Sequence, residues 1–176
     1  MRTLVLTLIG LLALPALAQE KLPPHAKRMA PESYEYQFGQ LLALAHGSSV
    51  EASRQQLLAQ GVDPAIAGKL AVHIQTGMEE MYAVSEKYRK QVCDQKATIN
   101  RETYARLMDE RDAATNAIEK KVVEGVAPLI GVEQNARLEK IKATQRVGGV
   151  SVDFGATIRD PSFPMQESLT DMCRDR

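Results

Sequence analysis

The chain has 176 residues, with 22 Lys and Arg residues balancing 22 Asp and Glu residues, and 44% of its residues are hydrophobic. This composition is typical of a globular protein and excludes collagen-like, low-complexity and highly charged disordered chains. A formal net charge of zero lacks the positive field that sequence-independent nucleic-acid binding requires, so nucleic acid is not an expected partner.

The amino-terminal segment predicts a cleavable secretory signal peptide over residues 1–18. Arg2 supplies a positive charge, an apolar run follows it, and a small-x-small cleavage pattern ends at Ala18. We expect cleavage between Ala18 and Gln19, a periplasmic or secreted location, and no stable membrane anchor after cleavage. A retained anchor is the alternative, but the apolar run is shorter than the roughly 20 residues that span a bilayer.

Two cysteines, Cys93 and Cys173, lie in the part of the chain that follows the predicted signal peptide. An oxidising compartment allows such a pair to form a disulfide and to keep it, and we predict this bond. It would tether the C-terminal tail, residues 148–176, to the helical part of the chain. Two independent free thiols are the alternative, since cysteines so far apart have no metal-ligand spacing.

The first predicted elements are an arm and two short helices. Three prolines without an apolar period predict a flexible arm over residues 19–31. The helical domain, residues 32–147, begins with apolar residues recurring every three to four positions from Ser33 to Ala45, which predicts a helix. Ser48 begins a capping-box pattern, which predicts a second helix from Val50 to Gln60.

Two long amphipathic helices with a short polar connection form the centre of the predicted fold. Asp63 as cap, with Pro64 after it, predicts the start of the third helix. Its apolar stripe comprises Leu70, Ile74, Met78, Met81, Ser85, Tyr88 and Val92. The fourth helix, capped by Thr98 or Asn100, has a stripe of Tyr104, Leu107, Ala114, Ile118, Val122 and Leu129. This pattern predicts an antiparallel hairpin, with a single continuous helix from Pro64 through Val126 as the alternative.

Proline and glycine predict where the last helices end. Pro128 lacks a backbone N–H and clashes with the preceding turn, so the fourth helix should stop or kink near Val126 or Ala127. A fifth helix is predicted from Val132 to the Gly148-Gly149 pair. Its inward residues are predicted to be Leu138 and Ile141, and its outward residues Arg137, Lys140, Lys142 and Arg146.

The C-terminal tail has weak signals for regular structure. Val150 to Phe154 alternates apolar and polar residues as a strand does, but the chain offers no second strand-like run to pair with it, which predicts an extended segment. Met165 to Cys173 predicts a last helical turn or two. The predicted fold is therefore all-α, with about five helices around a long antiparallel helical hairpin and an extended C-terminal tail.

The histidines do not form a recognisable metal site. His25, His46 and His73 lack the spacings of zinc hydrolases. His73, Met78 and Met81 carry donor atoms that suit copper, yet His73 and Met78 point roughly 140° apart around one helix. We therefore expect no metal and no organic cofactor.

One segment resembles a known family. The run PLIGVEQNARL, from Pro128 to Leu138, resembles the LTxxQ segment of the Spy-like and CpxP-like periplasmic helical proteins. Ile130 stands at the Leu position and Gln134 at the Gln position, whereas Gly131 replaces Thr. An earlier run, GVDPAIAGKL, echoes GVEQNARL as paired motifs of that family do, with Pro in place of Gln. The resemblance implies an exported helical protein, and the family includes chaperones, stress-response inhibitors and metal-sensing relatives.

The function we expect is non-enzymatic binding of proteins or peptides, chaperone-like or stress-related. A hairpin without a covering layer leaves apolar surface, and Met78, Met81 and Met108 are adaptable contacts for a partner. A homodimeric interaction protein with one specific partner is an alternative that uses the same surface. A small enzyme is a further alternative, although no GxSxG, Walker or dinucleotide-binding pattern occurs and no catalytic residue is predicted.

Overall fold

A computed structural model describes residues 22–145 and 149–174, and it confirms the all-α class. Within those ranges the chain forms seven helices: α1 (Tyr34–Ala45), α2 (Val50–Ala59), α3 (Pro64–Asp94), α4 (Arg101–Ile130), α5 (Val132–Lys142), α6 (Phe154–Arg159) and α7 (Met165–Met172). Two short strands, β1 (Ala26–Arg28) and β2 (Val150–Val152), complete the described structure. The predicted signal peptide, with its cleavage site between Ala18 and Gln19, lies outside the described residues.

The long helices α3 and α4 pack against each other as an antiparallel hairpin. The His73 ring contacts the Val122 carbonyl, and the Glu80 carboxylate pairs with Lys121. Glu80 follows His73 along α3 whereas Lys121 precedes Val122 along α4, so the two helices run in opposite directions. The connection at residues 95–100 separates them, so the alternative of one continuous helix is wrong. None of the described helices is long and apolar enough to cross a membrane.

Local capping signals predicted most of the helix starts. The Asp63 carboxylate accepts from the Ala65 N–H at 2.8 Å, and the Asn100 side chain accepts from the Thr103 N–H at 2.8 Å. Ser49, not Ser48, caps α2, because Ser49 has the extended backbone that immediately precedes the first helical residue. The predicted capping box was therefore wrong by one position, while the second helix itself is confirmed.

Two hydrophobic clusters hold the hairpin, one near each end. The first joins α1, α2 and α5 to the start of α3 and the end of α4; its largest members include Phe38, Leu41, Leu57, Leu70, Ile74, Val126 and Leu138. The second joins α6 and α7 to the opposite end; its members include Tyr88, Val92, Tyr104, Leu107, Met108, Ile158 and Leu169. The shorter helices thus form a covering layer, and the expectation of an uncovered hairpin was wrong.

The buried face of α3 is rotated slightly from the predicted stripe. Gly77 is buried, whereas the neighbouring Met78 is 37% exposed and Ser85 is also exposed. The reason is a close helix contact: a Cβ at position 77 would overlap the side chain of Val122. The missing side chain lets the two backbones approach at this point.

Helix α4 continues through Pro128 and ends at Ile130, so of the predicted stop or kink near Val126 or Ala127 the stop was wrong, and the kink stays a prediction. Pro128 is exposed, and the carbonyl of Glu124 that loses its helical partner can be hydrated there. The helix ends instead at Gly131, whose φ of 81° favours glycine.

Helix α5 ends earlier than predicted, and one of its basic residues is buried. It stops at Lys142 and not at Gly148-Gly149, where residues 146–148 lie outside the described ranges. Lys142 is only 3% exposed, so its predicted outward direction was wrong. Its ammonium donates to the Glu139 carboxylate at 2.9 Å, so the buried charge has an anionic partner.

The arm and the tail pair with each other. Strand β1 lies antiparallel to β2, with Ala26 opposite Val152 and Arg28 opposite Val150. The expectations of a flexible arm over 19–31 and of an unpaired segment after Gly149 are therefore corrected for the described residues. Three-residue strands carry too little periodicity for the sequence to show that they pair.

The tail beyond β2 is also more structured than predicted. Ile158 of α6 and Leu169 of α7 are buried in the second cluster. The Arg101 guanidinium donates to the carbonyls of Ile158 and Asp160 at 2.6 and 2.7 Å. The predicted disulfide is confirmed: Cys93 at the end of α3 is bonded to Cys173 at the end of α7.

Removal of the disulfide should destabilise the protein. The bond closes a sequence separation of 80 residues, for which the chain-entropy model gives about 4 kcal/mol. Substituting both cysteines with Ser should lower the free energy of unfolding by about 2–4 kcal/mol in urea titrations. Reduced wild-type protein is the control and should match the double variant. Equal stability of oxidised wild type and the double variant would contradict this prediction.

The close contact at Gly77 gives a second test. Gly77→Ala should destabilise by roughly 1–3 kcal/mol because its Cβ would overlap Val122. Gly68→Ala is the matched control, since only the Arg54 Cδ lies near, at 3.9 Å. That control should be neutral or stabilising by up to about 1 kcal/mol, because Ala has the higher helix propensity. Thermal unfolding of both variants measures the difference in stability. A stability change of the same sign in both variants would contradict the explanation by overlap with Val122.

Candidate functional site

The described part of the chain contains a cleft of about 770 Å³. The strands β1 and β2 line one side, and α1 and the middle of α4 line the other. Along α4 the cleft lies between the two hydrophobic clusters, after Met108 and before Val122. It is therefore a gap between the two halves of the core.

The cleft is strongly acidic. Its lining carboxylates are Glu35, Asp109, Asp112, Glu119 and Asp153. The basic side chains in the lining are those of Lys27 and, when protonated, His25. The chain as a whole has no net charge, so this concentration of carboxylates is a local property of the folded protein.

Three of these carboxylates have partners within the protein. Asp109 accepts from the Arg159 guanidinium at 2.8 Å, and Asp112 accepts from the Arg111 guanidinium at 2.6 Å. Asp153 caps α6 by accepting from the Ala156 N–H at 2.7 Å. These side chains therefore also hold the walls of the cleft in place.

The walls are brought together by a close contact between α6 and α4. Gly155 lies against the Asp109 carboxylate, and a Cβ at position 155 would overlap it. The Arg111 guanidinium also lies over the Phe154 ring, 4.7 Å from its centroid. Burial raises the pKa of the Asp112 carboxyl, although its hydrogen bond from Arg111 acts in the opposite direction.

Glu119 is the unusual residue of the cleft. Its side chain is buried, with 6% of the residue exposed, and its Oε2 atom has no hydrogen-bond partner in the described structure. Burial raises the pKa of Glu119 to about 7, and the negative charge of Glu35 adds to the shift. A buried carboxyl group with an unused acceptor is costly unless a ligand or a proton neutralises it.

Glu35 approaches from the first turn of α1. Ser33 caps this helix by accepting from the Tyr36 N–H at 3.1 Å. The Tyr34 hydroxyl donates to the Glu124 carboxylate at 2.6 Å, which holds the start of α1 against α4. Among the described residues the Glu35 carboxylate makes no ion pair, so it adds negative charge beside Glu119 without a cation to offset it.

The opposite side of the cleft contains an unusual backbone conformation. His25 has a φ of 62°, which is uncommon for a residue other than glycine. Its carbonyl accepts from the Asp153 N–H at 3.0 Å, and its Nε2 lies 3.6 Å from an Asp160 carboxylate oxygen. These contacts fix the start of β1 beside the acidic wall.

The predicted partner-binding methionines are not brought together at one surface. Met108 is only 2% exposed and belongs to the second cluster, so its assignment as a partner contact was wrong. Its neighbours in the helical repeat, Tyr104 and Leu107, are buried with it. Met81 is half-buried against the first cluster, which leaves Met78 as the exposed member of the set.

The other residues considered from sequence have structural contacts. The Nε2 atom of His73 lies 2.9 Å from the Val122 carbonyl oxygen. Gln134 donates to the Asp63 carboxylate at 3.4 Å, which connects the starts of α3 and α5. Among the residues that the structure covers, no three His, Cys, Asp or Glu side chains are grouped closely enough to hold a metal ion.

Sequence reasoning missed Glu119, although the sequence contains a signal for it. Glu119 precedes Val122 by three residues and Val126 by seven, which is the spacing of the buried face of α4. An acidic residue at a core position is informative because carboxylates are rarely buried without a partner. The surrounding carboxylates come from distant segments and show no such pattern.

Comparison with known proteins gives no match to a protein-family model, to a curated protein or to a solved structure.

The raised pKa of Glu119 predicts an effect of pH on stability. The unfolded chain loses this proton near the ordinary value of 4.5 and the folded chain near 7, so the free energy of unfolding falls as pH rises through that window. The loss is up to about 3 kcal/mol. Glu119→Gln mimics the neutral acid and should be more stable than wild type at pH 8 and equal to it at pH 4.5.

Urea unfolding at both pH values measures this effect. Glu79→Gln, at an exposed position on α3, is the control and should change stability little at either pH. A Glu119→Gln variant that is less stable than wild type at pH 8 would show that the buried carboxylate is stabilising in the charged form.

Proposed function

We propose that this protein is an exported, non-enzymatic binding protein, and that its acidic cleft binds an extended, positively charged segment of a partner protein or peptide. The observation that carries this proposal is the excess of carboxylates in the cleft, with Glu119 and Glu35 lacking a cationic partner among the described residues. A ligand that supplies positive charge removes the electrostatic cost of this arrangement.

The strand pair supports an extended polypeptide as the ligand. The Asp153 N–H donates to the His25 carbonyl, and the Met29 N–H donates to the Gly149 carbonyl. Along each strand, every second residue therefore directs its backbone N–H and C=O toward the partner strand. Val150 and Val152 direct their backbone groups away from β1. In the described structure this outer edge of β2 is unpaired, and an added strand would bond to it.

Exposed apolar side chains beside the acidic wall support a peptide with mixed character. Val150 is 44% exposed and Phe154 is 45% exposed, and both line the cleft. A segment in which basic and apolar residues alternate would contact both the carboxylates and these apolar side chains. Carboxylates alone would serve a small cation equally well, so these apolar contacts favour a peptide.

The exported location and the chaperone-like or stress-related role belong to the same proposal. The Cys93–Cys173 disulfide is typical of proteins in oxidising compartments. The resemblance of the Pro128 to Leu138 run to the LTxxQ segment of Spy-like and CpxP-like proteins is the sequence basis for this role. Binding of partner polypeptides is the activity that such a role requires.

A homodimer is the second candidate, and one observation favours it. Met78 and Tyr82, four residues apart on α3, are both exposed, with Tyr82 at 70%. Two such side chains on one side of a helix are suited to a contact with a second copy. Sedimentation of wild type and a Tyr82→Glu variant tests this candidate, which requires a concentration-dependent dimer that the substitution abolishes.

Peptide binding by the cleft can be tested with three dodecapeptides of alternating sequence. They pair Val with Lys, Gln or Glu, and each carries a fluorophore for anisotropy measurements. We expect binding of the Lys peptide only, and Glu35→Gln combined with Glu119→Gln should weaken it at least about tenfold. The control pair is Glu79→Gln with Glu167→Gln, two exposed positions outside the cleft.

The result can also contradict the proposal. Equal affinity for the Lys and Glu peptides would exclude charge recognition in the cleft. No binding of the Lys peptide at low ionic strength, where electrostatic attraction is strongest, would exclude the proposed function altogether.

A further inference from the structure

We infer that Glu119, with Glu35 beside it, forms a pocket for a single primary ammonium group within the cleft, and that ammonium binding releases the proton of Glu119 to the solvent. The ligand group is the side chain of a Lys residue. This inference rests on the proposed function, because the Lys belongs to the bound segment, and it names the chemistry that the segment must have.

The pocket is formed by one face of α4 together with α1. Asp112, Asn116 and Glu119 follow one another at intervals of four and three residues, so they lie on the same side of α4, and all line the cleft. Glu35 approaches from the first turn of α1. The pocket therefore offers carboxylate oxygens from two helices and the amide oxygen of Asn116.

These acceptors match an ammonium group. Lys presents a compact charge with three donors that can point in different directions, whereas Arg presents a planar fork that requires a matching carboxylate. In Glu119 the Oε2 atom is shielded from solvent, so the two oxygens are not equally available for a planar, two-bond contact. The geometry thus favours Lys over Arg.

The proton balance follows from the burial of Glu119. In the free protein, burial and the charge of Glu35 hold the pKa of Glu119 at about 7, so the group is largely protonated at pH 6. An ammonium group in contact favours the ionised form. The protonated acid and the ammonium ion therefore become an ion pair plus one proton, which the buffer takes up.

Other charged groups face the same space and must be separated from this effect. They are His25, which precedes β1, Lys27 of β1, Glu35 of α1, Asp109 and Asp112 of α4, and Asp153, the cap of α6. Histidines as a class titrate near neutral pH, so a His25→Gln variant is the necessary control. Proton release that persists in this variant comes from a carboxyl group.

The experiment is isothermal titration calorimetry of the alternating Lys-Val peptide at pH 6 in two buffers with different enthalpies of ionisation. We expect release of nearly one proton per bound peptide in wild type and in His25→Gln, and none in Glu119→Gln. Affinity for wild type should be about tenfold weaker at pH 6 than at pH 8, because the proton competes with the ligand. In Glu119→Gln the affinities at pH 6 and at pH 8 should be nearly equal.

A second set of ligands tests the ammonium specificity and keeps this inference separate from the proposed function. 1-Butylamine should show the same proton release, while 1-butanol should not bind. Replacement of every Lys in the peptide by Arg should weaken binding at least about tenfold. Peptide binding without proton release, or with equal affinity for Arg, would overturn the inference and leave the proposed function standing. Proton release by butylamine without peptide binding would exclude the proposed function and a peptide Lys as the ligand, and would leave only a pocket for free amines.

Discussion

The rest of the structure depends on the close packing of α3 against α4. Most of the stability of a helix in a protein comes from packing of its apolar face, and each of these two long helices packs that face against the other. The contact of Gly77 with Val122 sets how near the two backbones come. The shorter helices cover the two ends of this pair in two separate clusters.

The separation of the two clusters explains why a buried carboxyl group occurs at the middle of α4. Along α4 the fully buried residues of the two clusters end at Met108 and begin again at Val122, and the start of α1 and the strand pair line the cleft between them. Glu119 occupies a core position in the helical repeat but faces an incomplete core. Its cost is tolerated because most of the stabilising burial lies elsewhere.

The sequence predicted the features that arise from neighbouring residues. Helix starts at Asp63 and Asn100 depend on a side chain and an N–H two or three positions away, so they are visible in the sequence. The β1–β2 pairing, the inward direction of Lys142 and the grouping of carboxylates all depend on segments far apart in the chain. The candidate site belongs to this second class, and only Glu119 left a local signal through its spacing from Val122.

The strand ladder has a consequence for when the cleft can exist. Ala26 pairs with Val152, so the wall of the cleft joins the beginning of the described chain to a segment near its end. Contacts of such high sequence separation form late, since a long loop must close before they contribute. A chain that has been synthesised only as far as α4 can build the helical hairpin but lacks this wall of the cleft. The cleft is thereby restricted to chains whose synthesis has passed β2.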